Sequence, residues 1–328
     1  MTSTSPSFSI VIAVYNEQRA IDDLMTAIDS AMRRLGESYE VIFVDDGSTD
    51  GTLENLKRHS AANPSVRVFS FRRNLGKSPA LTCGFQQARG RYVVTLDADL
   101  QDDPADIPAM YDEMKREQVA VVSGWRKDRR DSALKIVSSK IFNLIVVRLL
   151  FRVAFKDMNS GMKLYDAEVT KGLRLYGGMH RFIPLIATEF GFQVREVPVH
   201  HHERKYGTSK YPATKILTEI PDLLTLFFLI RFTRRPLHFF GTIGSALAIP
   251  GFVFLAYLTW LWTQGIGIGT RPLLSFGVLL VLVGGQIIFT GLLADLIVNM
   301  NQNRDQEFPI KYSSDRTAAA PIEQRAYD

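Results

Sequence analysis

The sequence has a single cysteine, Cys83, among its 328 residues. An intrachain disulfide is therefore excluded, and we expect the protein to work in a reducing compartment. The polar N-terminus has no charged stretch followed by an apolar one, so no cleaved signal peptide is predicted. We find no serine–histidine–aspartate or cysteine–histidine arrangement of the kind that supports covalent catalysis.

The excess of positive charge is small, with a formal net charge of +5 and a pI of about 9.2. Such an excess fits anionic partners such as phosphates or an anionic membrane. The basic residues are scattered through the first part of the chain and then gather beside two long apolar runs. This distribution favours a membrane surface over nucleic acid.

The two long runs lack charge almost entirely and extend over Leu237–Trp262 and Pro272–Met300. Each exceeds the roughly 20 residues that cross a bilayer core. The loop between them carries only Arg271, whereas basic residues flank the pair on the outside: Arg231, Arg234, Arg235, Arg304 and Lys311. The positive-inside rule then predicts a multi-pass protein of the inner (plasma) membrane with both termini in the cytoplasm. Small residues within the runs favour close helix packing and suggest a homo-oligomer.

Two shorter apolar segments, at 132–155 and 216–232, are interrupted by charges and are too broken to span a bilayer. The first is either a buried core helix or a helix at a membrane surface, and the second is predicted to be an interfacial helix. The expected organisation is a catalytic domain at 1–212, an amphipathic interfacial helix at 213–235, a transmembrane hairpin at 236–300 and a polar cytoplasmic tail at 301–328.

The first part of the chain alternates short β-branched runs with helical patterns, which indicates an α/β fold with a parallel, Rossmann-like sheet. Strands are predicted at Phe8–Val14, Glu40–Val44, Val66–Phe71, Tyr92–Leu96 and Ala120–Ser123. Helices are predicted at Glu17–Leu35, Asp50–Ala61, Ser78–Ala88 and Pro104–Glu117. Ligands of such sheets bind at the carboxyl ends of the strands.

Two acidic motifs follow predicted strands. Asp45 and Asp46 precede Gly47, and their carboxylates are candidates for hydrogen bonds with a nucleotide; alternatively, this stretch only caps the next helix. Asp97 and Asp99 are two residues apart, so both can converge on one hard cation, Mg²⁺ or Mn²⁺. The alternative for this second stretch is a polar turn in which Asp103 caps a helix.

A basic segment, Arg204–Tyr211, precedes the predicted interfacial helix. Arg204, Ser209 and Lys210 can donate hydrogen bonds to phosphate oxygens, although a solvated basic loop beside anionic lipids remains an alternative. Arg126 and Arg181 are further candidates for binding a diphosphate or a lipid phosphate. The histidines at 200–202 are interpreted as the end of a strand, because consecutive side chains on a strand point to opposite faces.

Four stretches together resemble family 2 glycosyltransferases of the GT-A fold: Ser9–Glu17, Val44–Asp50, Arg73–Lys77 and Asp97–Gln101. Within that family the chain is similar to polyprenyl-phosphate hexose synthases, namely dolichol phosphate mannose synthase and the bactoprenol glucosyltransferases. The resemblance extends from Phe8 to about Asn301. A processive polysaccharide synthase is disfavoured, because the Gln-x-x-Arg-Trp motif of those enzymes is absent and two spans are too few for a polymer channel.

The resemblance implies a role for each matching position. Tyr15, Glu17, Asp45 and Asp46 line the nucleotide pocket, and Lys77 ends a donor-side motif. Asp97 and Asp99 hold the metal and the diphosphate, with Gln101 near the donor sugar. Asp157 begins a stretch that matches the acceptor side, and Arg204–Tyr211 matches an Arg-x-x-Gly-x-Ser-Lys-Tyr signature.

The predicted function is inverting transfer of a hexose, with UDP-glucose as the first choice of donor, to a polyprenyl phosphate at the cytoplasmic membrane face. GDP-mannose is the alternative donor, and a non-catalytic membrane scaffold that binds nucleotide-sugars is the alternative class. A phosphate monoester is largely ionised near neutral pH, because its second pKa is about 6. The acceptor therefore needs little help from a general base.

Overall fold

A computed structural model describes residues 5–127, 155–173, 175, 177–203, 205–206, 225, 227–228, 232 and 235–301. The chain divides into two compact units, an N-terminal unit, Met1–Ile230, and a C-terminal unit, Arg231–Asp328. The predicted helix at 132–155 lies outside the described residues except for Phe155, and most of the predicted interfacial helix lies outside them too. Arg204, Ser209, Lys210 and the polar tail also fall outside.

The described part of the N-terminal unit is built on one sheet of seven strands in the order β3-β2-β1-β4-β6-β5-β7. The strands are β1 (Phe8–Val14), β2 (Tyr39–Asp45), β3 (Val66–Ser70), β4 (Tyr92–Asp97), β5 (Val121–Arg126), β6 (Lys163–Asp166) and β7 (Val194–Val199). The five predicted strands are confirmed to within a few residues. β1 is a nearly continuous apolar run of the type that is buried on both faces, whereas β3 at the edge of the sheet is only partly buried.

Helices cover both faces of the sheet. They are α1 (Ile21–Leu35), α2 (Thr52–Ala62), α3 (Lys77–Gln87), α4 (Ile107–Glu117), α5 (Ala167–Lys171) and α6 (Ile183–Glu189), with short 3₁₀ turns η1 (Pro104–Asp106) and η2 (Met179–Phe182). Asp103 caps η1 by accepting from the Ala105 amide at 2.9 Å, which confirms the predicted cap. The capped turn fixes the chain that leaves the end of β4.

Two apolar layers sandwich the sheet. On one face Ile10 and Ile12 are fully buried in a layer that includes residues of α1 and α4. On the other face Val11, Ile42 and Val93 are buried together with residues of α3, α5 and α6. Full burial of such side chains contributes about 1.5–3 kcal/mol each. The polar ends of the strands are thereby held on a rigid base.

The expectation of a purely parallel sheet is wrong at one strand. β6 runs antiparallel to both β4 and β5 and lies between them. The sequence pattern does not predict β6, because this strand has only four residues and begins with a lysine, Lys163. As a result the chain just before β6, at residues 160–162, is placed beside the carboxyl end of β4.

The described part of the C-terminal unit consists of a pair of long helices, α7 (Pro236–Thr263) and α8 (Pro272–Asn301). Both are long and apolar enough to cross a membrane, and only 17% of the most apolar window of each is buried within the protein. A soluble core helix would be mostly buried. Large apolar side chains are accordingly exposed along both helices, among them Ile249, Phe252, Leu282 and Phe289.

Small residues allow α7 and α8 to approach closely. A Cβ added at Gly244 would lie 2.6 Å from the carbonyl oxygen of Gly284, and one added at Gly284 would lie 2.6 Å from that of Gly244. Gly291 is similarly close to Phe240. Gly285 has no heavy atom within 4 Å of such a Cβ, so it does not belong to the contact.

Candidate active site

The loops after β1 and β2 are joined by hydrogen bonds. The Asn16 amide donates to Ser48 Oγ at 2.9 Å, and the Thr49 amide donates to Asn16 Oδ1 at 2.8 Å. The Glu17 amide donates to Thr52 Oγ1 at 3.0 Å, at the start of α2. The structure therefore brings Tyr15 and Glu17, both predicted to contact the nucleotide, to one fixed wall at the carboxyl end of the sheet.

Asp45 and Asp46 organise the neighbouring loops. Both are almost fully buried. Asp45 accepts from the Ser48 amide at 3.1 Å and from Ser70 Oγ at 2.7 Å. Asp46 accepts from the Leu75 amide at 2.7 Å and the Gly76 amide at 2.9 Å. These bonds hold the loop before α3, so direct contact of either carboxylate with a nucleotide stays a prediction.

Gly47 permits the same loop to pass close by. Its φ is +69°, and an added Cβ would lie 2.5 Å from the carbonyl carbon of Arg73. Only glycine satisfies both conditions without a shift of the backbone. The Asp-Asp-Gly sequence is thus explained by loop packing as well as by its predicted role in binding.

Asp97 lies at the end of β4 and pairs with Lys77, the first residue of α3. The Lys77 ammonium donates to Asp97 Oδ1. Burial raises the pKa of the Asp97 carboxyl, but the charge and hydrogen bond of Lys77, together with the charge of Lys163, hold this pKa below its ordinary value. Asp99 follows in the β4–η1 loop, where its Oδ1 accepts from the Gln101 amide at 3.1 Å. Lys77 and Asp97 therefore contribute to one charged cluster.

Gly161 lies directly against that cluster. A Cβ added at Gly161 would be 2.6 Å from Asp97 Cγ, 2.7 Å from Asp97 Oδ2 and 2.7 Å from Asp102 Oδ2. Both carboxylates therefore converge on the α-carbon of one glycine. The sequence had given Gly161 and Asp102 no role, because the approach depends on the antiparallel docking of β6.

Lys163 is a buried cation that the sequence analysis missed. Its side chain is 2% exposed, and its ammonium donates to the Ser160 carbonyl. Burial and the charge of Lys77 lower the pKa of Lys163 to about 8, although Asp157, Asp97 and Asp102 act to raise it. Lys163 lies in the acceptor-side stretch that starts at Asp157, but nothing in a linear sequence shows that a lysine will be buried among three carboxylates.

Arg126 and Asp157 form a buried bidentate ion pair. The Nε and Nη2 atoms of Arg126 donate to Oδ2 and Oδ1 of Asp157 at 2.7 and 3.0 Å. The guanidinium is 14% exposed and the carboxylate 3%. Two separately predicted residues, a phosphate-binding arginine and a catalytic aspartate, are thus partners. Their contacts with substrate stay predictions.

Arg181 lies in η2 beside His180, whose Nδ1 is 2.9 Å from Ser78 Oγ. Burial and the nearby charges of Lys77 and Arg181 lower the pKa of His180 to about 2, so this imidazole stays neutral near pH 7. Arg181 and Lys77 are thus two positive charges that both act on His180. A phosphate contact of Arg181 stays a prediction.

The start of the predicted phosphate-binding segment is anchored to α1. Lys205 Nζ donates to Asp23 Oδ2 at 2.6 Å, and the Tyr206 hydroxyl donates to the same oxygen at 3.2 Å. Asp23 belongs to the first turn of α1, only a few residues after Glu17. The described beginning of the basic segment therefore lies against the first turn of α1.

The donor set at the end of β4 fits a hard divalent cation. Among the described residues, no three His, Cys, Asp or Glu side chains are arranged to hold a metal by themselves. Mg²⁺ is commonly held by one or two carboxylates and completes its shell with substrate phosphates and water. Asp97, which is 37% exposed, and the partly exposed Asp99 fit such a site.

Three comparisons with known proteins show the family and the fold of the chain. The family model for glycosyl transferase family 2 matches residues 9–173. The chain is 37% identical over 298 residues to a dodecaprenyl-phosphate galacturonate synthase of Rhizobium johnstonii, covering 89% of this chain and 88% of the relative. It is 36% identical over 300 residues to an undecaprenyl-phosphate 4-deoxy-4-formamido-L-arabinose transferase of Pseudomonas fluorescens, covering 89% of this chain and 84% of the relative.

Among solved structures, the chain resembles glucosyl-3-phosphoglycerate synthase from Mycobacterium tuberculosis in complex with phosphoglyceric acid. That likeness has a TM-score of 0.53 and 20% identity, and covers 67% of this chain and 79% of the other. The same enzyme with Mn²⁺, UDP-glucose and phosphoglyceric acid gives a TM-score of 0.52 at 19% identity, covering 69% of this chain and 79% of the other. These structures confirm the GT-A fold. The extent of the family match and the identity to full-length relatives show that the chain is a glycosyltransferase and belongs to glycosyl transferase family 2.

Proposed function

We propose that the protein transfers a sugar from a nucleotide-sugar to the phosphate of a polyprenyl lipid. The main support for the proposal is the length of the alignment with relatives that are named for such transfers. An alignment of 298 residues is longer than the N-terminal unit, so it includes part of the apolar C-terminal unit as well. A lipid phosphate is an acceptor that a membrane-anchored transferase can reach, whereas a soluble acceptor gives no reason for two such helices.

The nucleotide-sugar would bind at the carboxyl ends of β1, β2 and β4. Tyr15 and Glu17 lie on the wall next to the nucleotide, with Asp45 and Asp46 behind them. Asp97 and Asp99 would hold Mg²⁺ or Mn²⁺, which when bound supplies charge to stabilise the leaving diphosphate. Lys77 adds positive charge on the same side.

The acceptor side needs cations more than a base. A lipid phosphate already carries an ionised oxygen near neutral pH, because its second pKa is about 6. The barrier to overcome is the approach of two anions, which positioned arginines and lysines reduce. Arg126, Arg181 and the segment with Arg204, Ser209 and Lys210 are the proposed phosphate ligands. The ionised oxygen attacks the anomeric carbon in line while the bond from that carbon to the diphosphate oxygen breaks. The nucleoside diphosphate leaves with the electron pair, and the configuration inverts.

The donor sugar is the finer part of the proposal. UDP-glucose is our first choice because of the resemblance to bactoprenol glucosyltransferases. The relatives named for galacturonate and for 4-deoxy-4-formamido-L-arabinose favour a second candidate, a donor with a carboxylate or formamido group. GDP-mannose is the third. A carboxylated sugar would require an additional cation in the pocket. Offering each donor separately in an assay distinguishes these candidates.

We also propose that α7 and α8 cross the inner membrane as a hairpin, with both termini in the cytoplasm. The basic residues outside the pair and the single arginine between the helices support this orientation. It places the N-terminal unit in the compartment that holds nucleotide-sugars.

The test is sugar transfer by the purified full-length protein in detergent. UDP-glucose, UDP-galacturonate, UDP-4-deoxy-4-formamido-L-arabinose and GDP-mannose are offered separately with undecaprenyl phosphate and Mg²⁺ or Mn²⁺. We expect a glycolipid from one donor that disappears with EDTA and in an Asp99→Asn variant. Donor binding without a glycolipid from any donor would instead support the scaffold alternative.

A further inference from the structure

Three consecutive histidines at the end of β7 lie against the segment that follows Asp99. His200 Nδ1 is 2.8 Å from Asp106 Oδ1, and His202 Nε2 is 3.0 Å from Asp103 Oδ2. Both of these imidazoles are well exposed, at 77% and 57%. These outer pairs are surface contacts that attach the end of β7 to η1.

The middle pair is different because it is buried. The side chain of His201 is 13% exposed and that of Asp102 is 4% exposed. Asp102 and His201 are also joined as an isolated antiparallel backbone bridge, and His201 Nδ1 lies 3.8 Å from Asp102 Oδ1. Within the described residues, Asp102 Oδ2 and His201 Nδ1 have no hydrogen-bond partner. Leaving buried polar atoms without hydrogen-bond partners costs free energy, so such atoms in a native structure need an explanation.

The other ring nitrogen of His201 reaches Gln101. His201 Nε2 is 3.4 Å from Gln101 Nε2, which also lies 3.5 Å from the His202 carbonyl oxygen. An amide NH₂ group can only donate, so this contact is a hydrogen bond in the tautomer whose Nε2 is unprotonated. In that tautomer the ring proton is on Nδ1, which lies 3.8 Å from Asp102 Oδ1.

These contacts fix Gln101 from one side. Its backbone carbonyl accepts from the His202 amide at 2.8 Å, and its side-chain nitrogen is directed to the histidine segment. The carbonyl oxygen of the side chain is then the atom that remains for a substrate hydroxyl. Asp102, at the other end of the arrangement, lies against Gly161 together with Asp97.

We propose that His201 is a positioning residue for Gln101 in sugar transfer. The backbone bridge to Asp102 holds the His201 ring in place, His201 accepts from the Gln101 amide nitrogen, and the Gln101 carbonyl accepts from a hydroxyl of the donor sugar. The inference rests on the proposed function, in which Gln101 lies beside the donor sugar.

The test uses two amides that each mimic one nitrogen of the imidazole. A glutamine at position 201 can present its side-chain oxygen near the place of Nε2 and accept from Gln101. An asparagine is shorter, so its amide lies near the place of Nδ1 and contacts only Asp102. We expect His201→Gln to keep most of the wild-type kcat. We expect His201→Asn to lower kcat by about 10- to 100-fold, which is the range for small misplacements of a reacting group.

A double-mutant cycle identifies the route of the effect. If His201 acts through Gln101, then His201→Asn combined with Gln101→Ala loses no more activity than Gln101→Ala alone. His200→Ala is the matched control, because it removes an exposed outer pair, and it should retain wild-type kcat. Thermal denaturation of each variant checks that the fold is intact.

Three results would overturn the inference while the wild type is active: equal losses for His201→Gln and His201→Asn, additive losses with Gln101→Ala, or a raised Mn²⁺ requirement in both variants. The last would mean that His201 contacts the metal. If the wild type transfers no sugar from any donor, the outcome is a different one. It contradicts the proposed function itself, and with it the inference that rests on that function.

Discussion

The ammonium of Lys77, the first residue of α3, forms an ion pair with Oδ1 of Asp97 at the end of β4. The other oxygen of Asp97 lies against Gly161. A residue proposed to hold a divalent cation is thus constrained on both sides by parts of the chain that are distant in sequence.

Replacing Lys77 should therefore reduce catalysis. Lys77→Met approximates the length of the side chain but removes a charge that lowers the Asp97 pKa and that we propose acts on the donor diphosphate. We expect kcat to fall by about 100-fold, the order found when one stabilising donor is removed from an active site. Steady-state kinetics would measure this, with Lys57→Met on the exposed surface of α2 as the control. Equal activity of the two variants would contradict the role.

A methyl group at Gly161 should disturb the same carboxylate. The added Cβ would lie 2.6 Å from Asp97 Cγ, so either Asp97 or the segment before β6 must move. We expect Gly161→Ala to lose at least about 10-fold in kcat, because small displacements of reacting groups are amplified in rate.

Gly172→Ala is the matched control for Gly161→Ala. The nearest atom to a Cβ at Gly172, the carbonyl oxygen of Val169, is 4.0 Å away. This variant should transfer sugar like the wild type. Comparable activity of the two alanine variants would show that the close approach of Gly161 to Asp97 does not affect catalysis.

The buried Lys163 predicts how activity depends on pH. Its pKa is lowered from 10.5 to about 8, mainly by burial. The ammonium is present below that pH and is lost as the pH rises through it, leaving the three nearby carboxylates without this cation. We expect wild-type kcat to decline above about pH 8, and Lys163→Met to be weakly active without a decline from this group. A wild-type profile that is flat to pH 9.5 would contradict the assignment.

The helix hairpin gives a prediction about stability. Gly284→Ala would place a Cβ 2.6 Å from the carbonyl oxygen of Gly244 on the facing helix, so the helices must separate. Overpacking of this kind destabilises by about 1–3 kcal/mol. Gly285→Ala on the same helix meets no atom within 4 Å and should be neutral or slightly stabilising. Thermal denaturation in detergent distinguishes the two, and equal melting temperatures would refute the contact.

Much of the fold could be predicted because its signals are local. β1 and β2 are apolar runs that end at acidic residues, and α1 has its apolar positions on one face. Asp103 before Pro104 predicted a helix start that the structure confirms. The two long apolar runs and the family resemblance likewise needed only the linear sequence.

The parts that were missed are those created by contacts between distant segments. β6 has only four residues, and Lys163 would be read as exposed until β6 is placed between two other strands. Gly161 and Asp102 meet Asp97 for the same reason. The histidines at 200–202 were interpreted as a strand end, which is confirmed for His200 following β7, but their pairing with the segment after Asp99 has no local signal.

The position of β6 has a consequence for how the protein acquires activity. Among the described strands, β6 lies between the group β3-β2-β1-β4 and the pair β5-β7 and forms the strand pairings that connect them. Asp97 belongs to the first group, Arg126 to the second, and Lys163 to the joining strand. A folding intermediate with both groups formed but β6 undocked would contain most of the native secondary structure and no assembled charge cluster. Recovery of sugar transfer during refolding should therefore lag behind recovery of helix and strand, and coincide with protection of the β6 amides from hydrogen exchange.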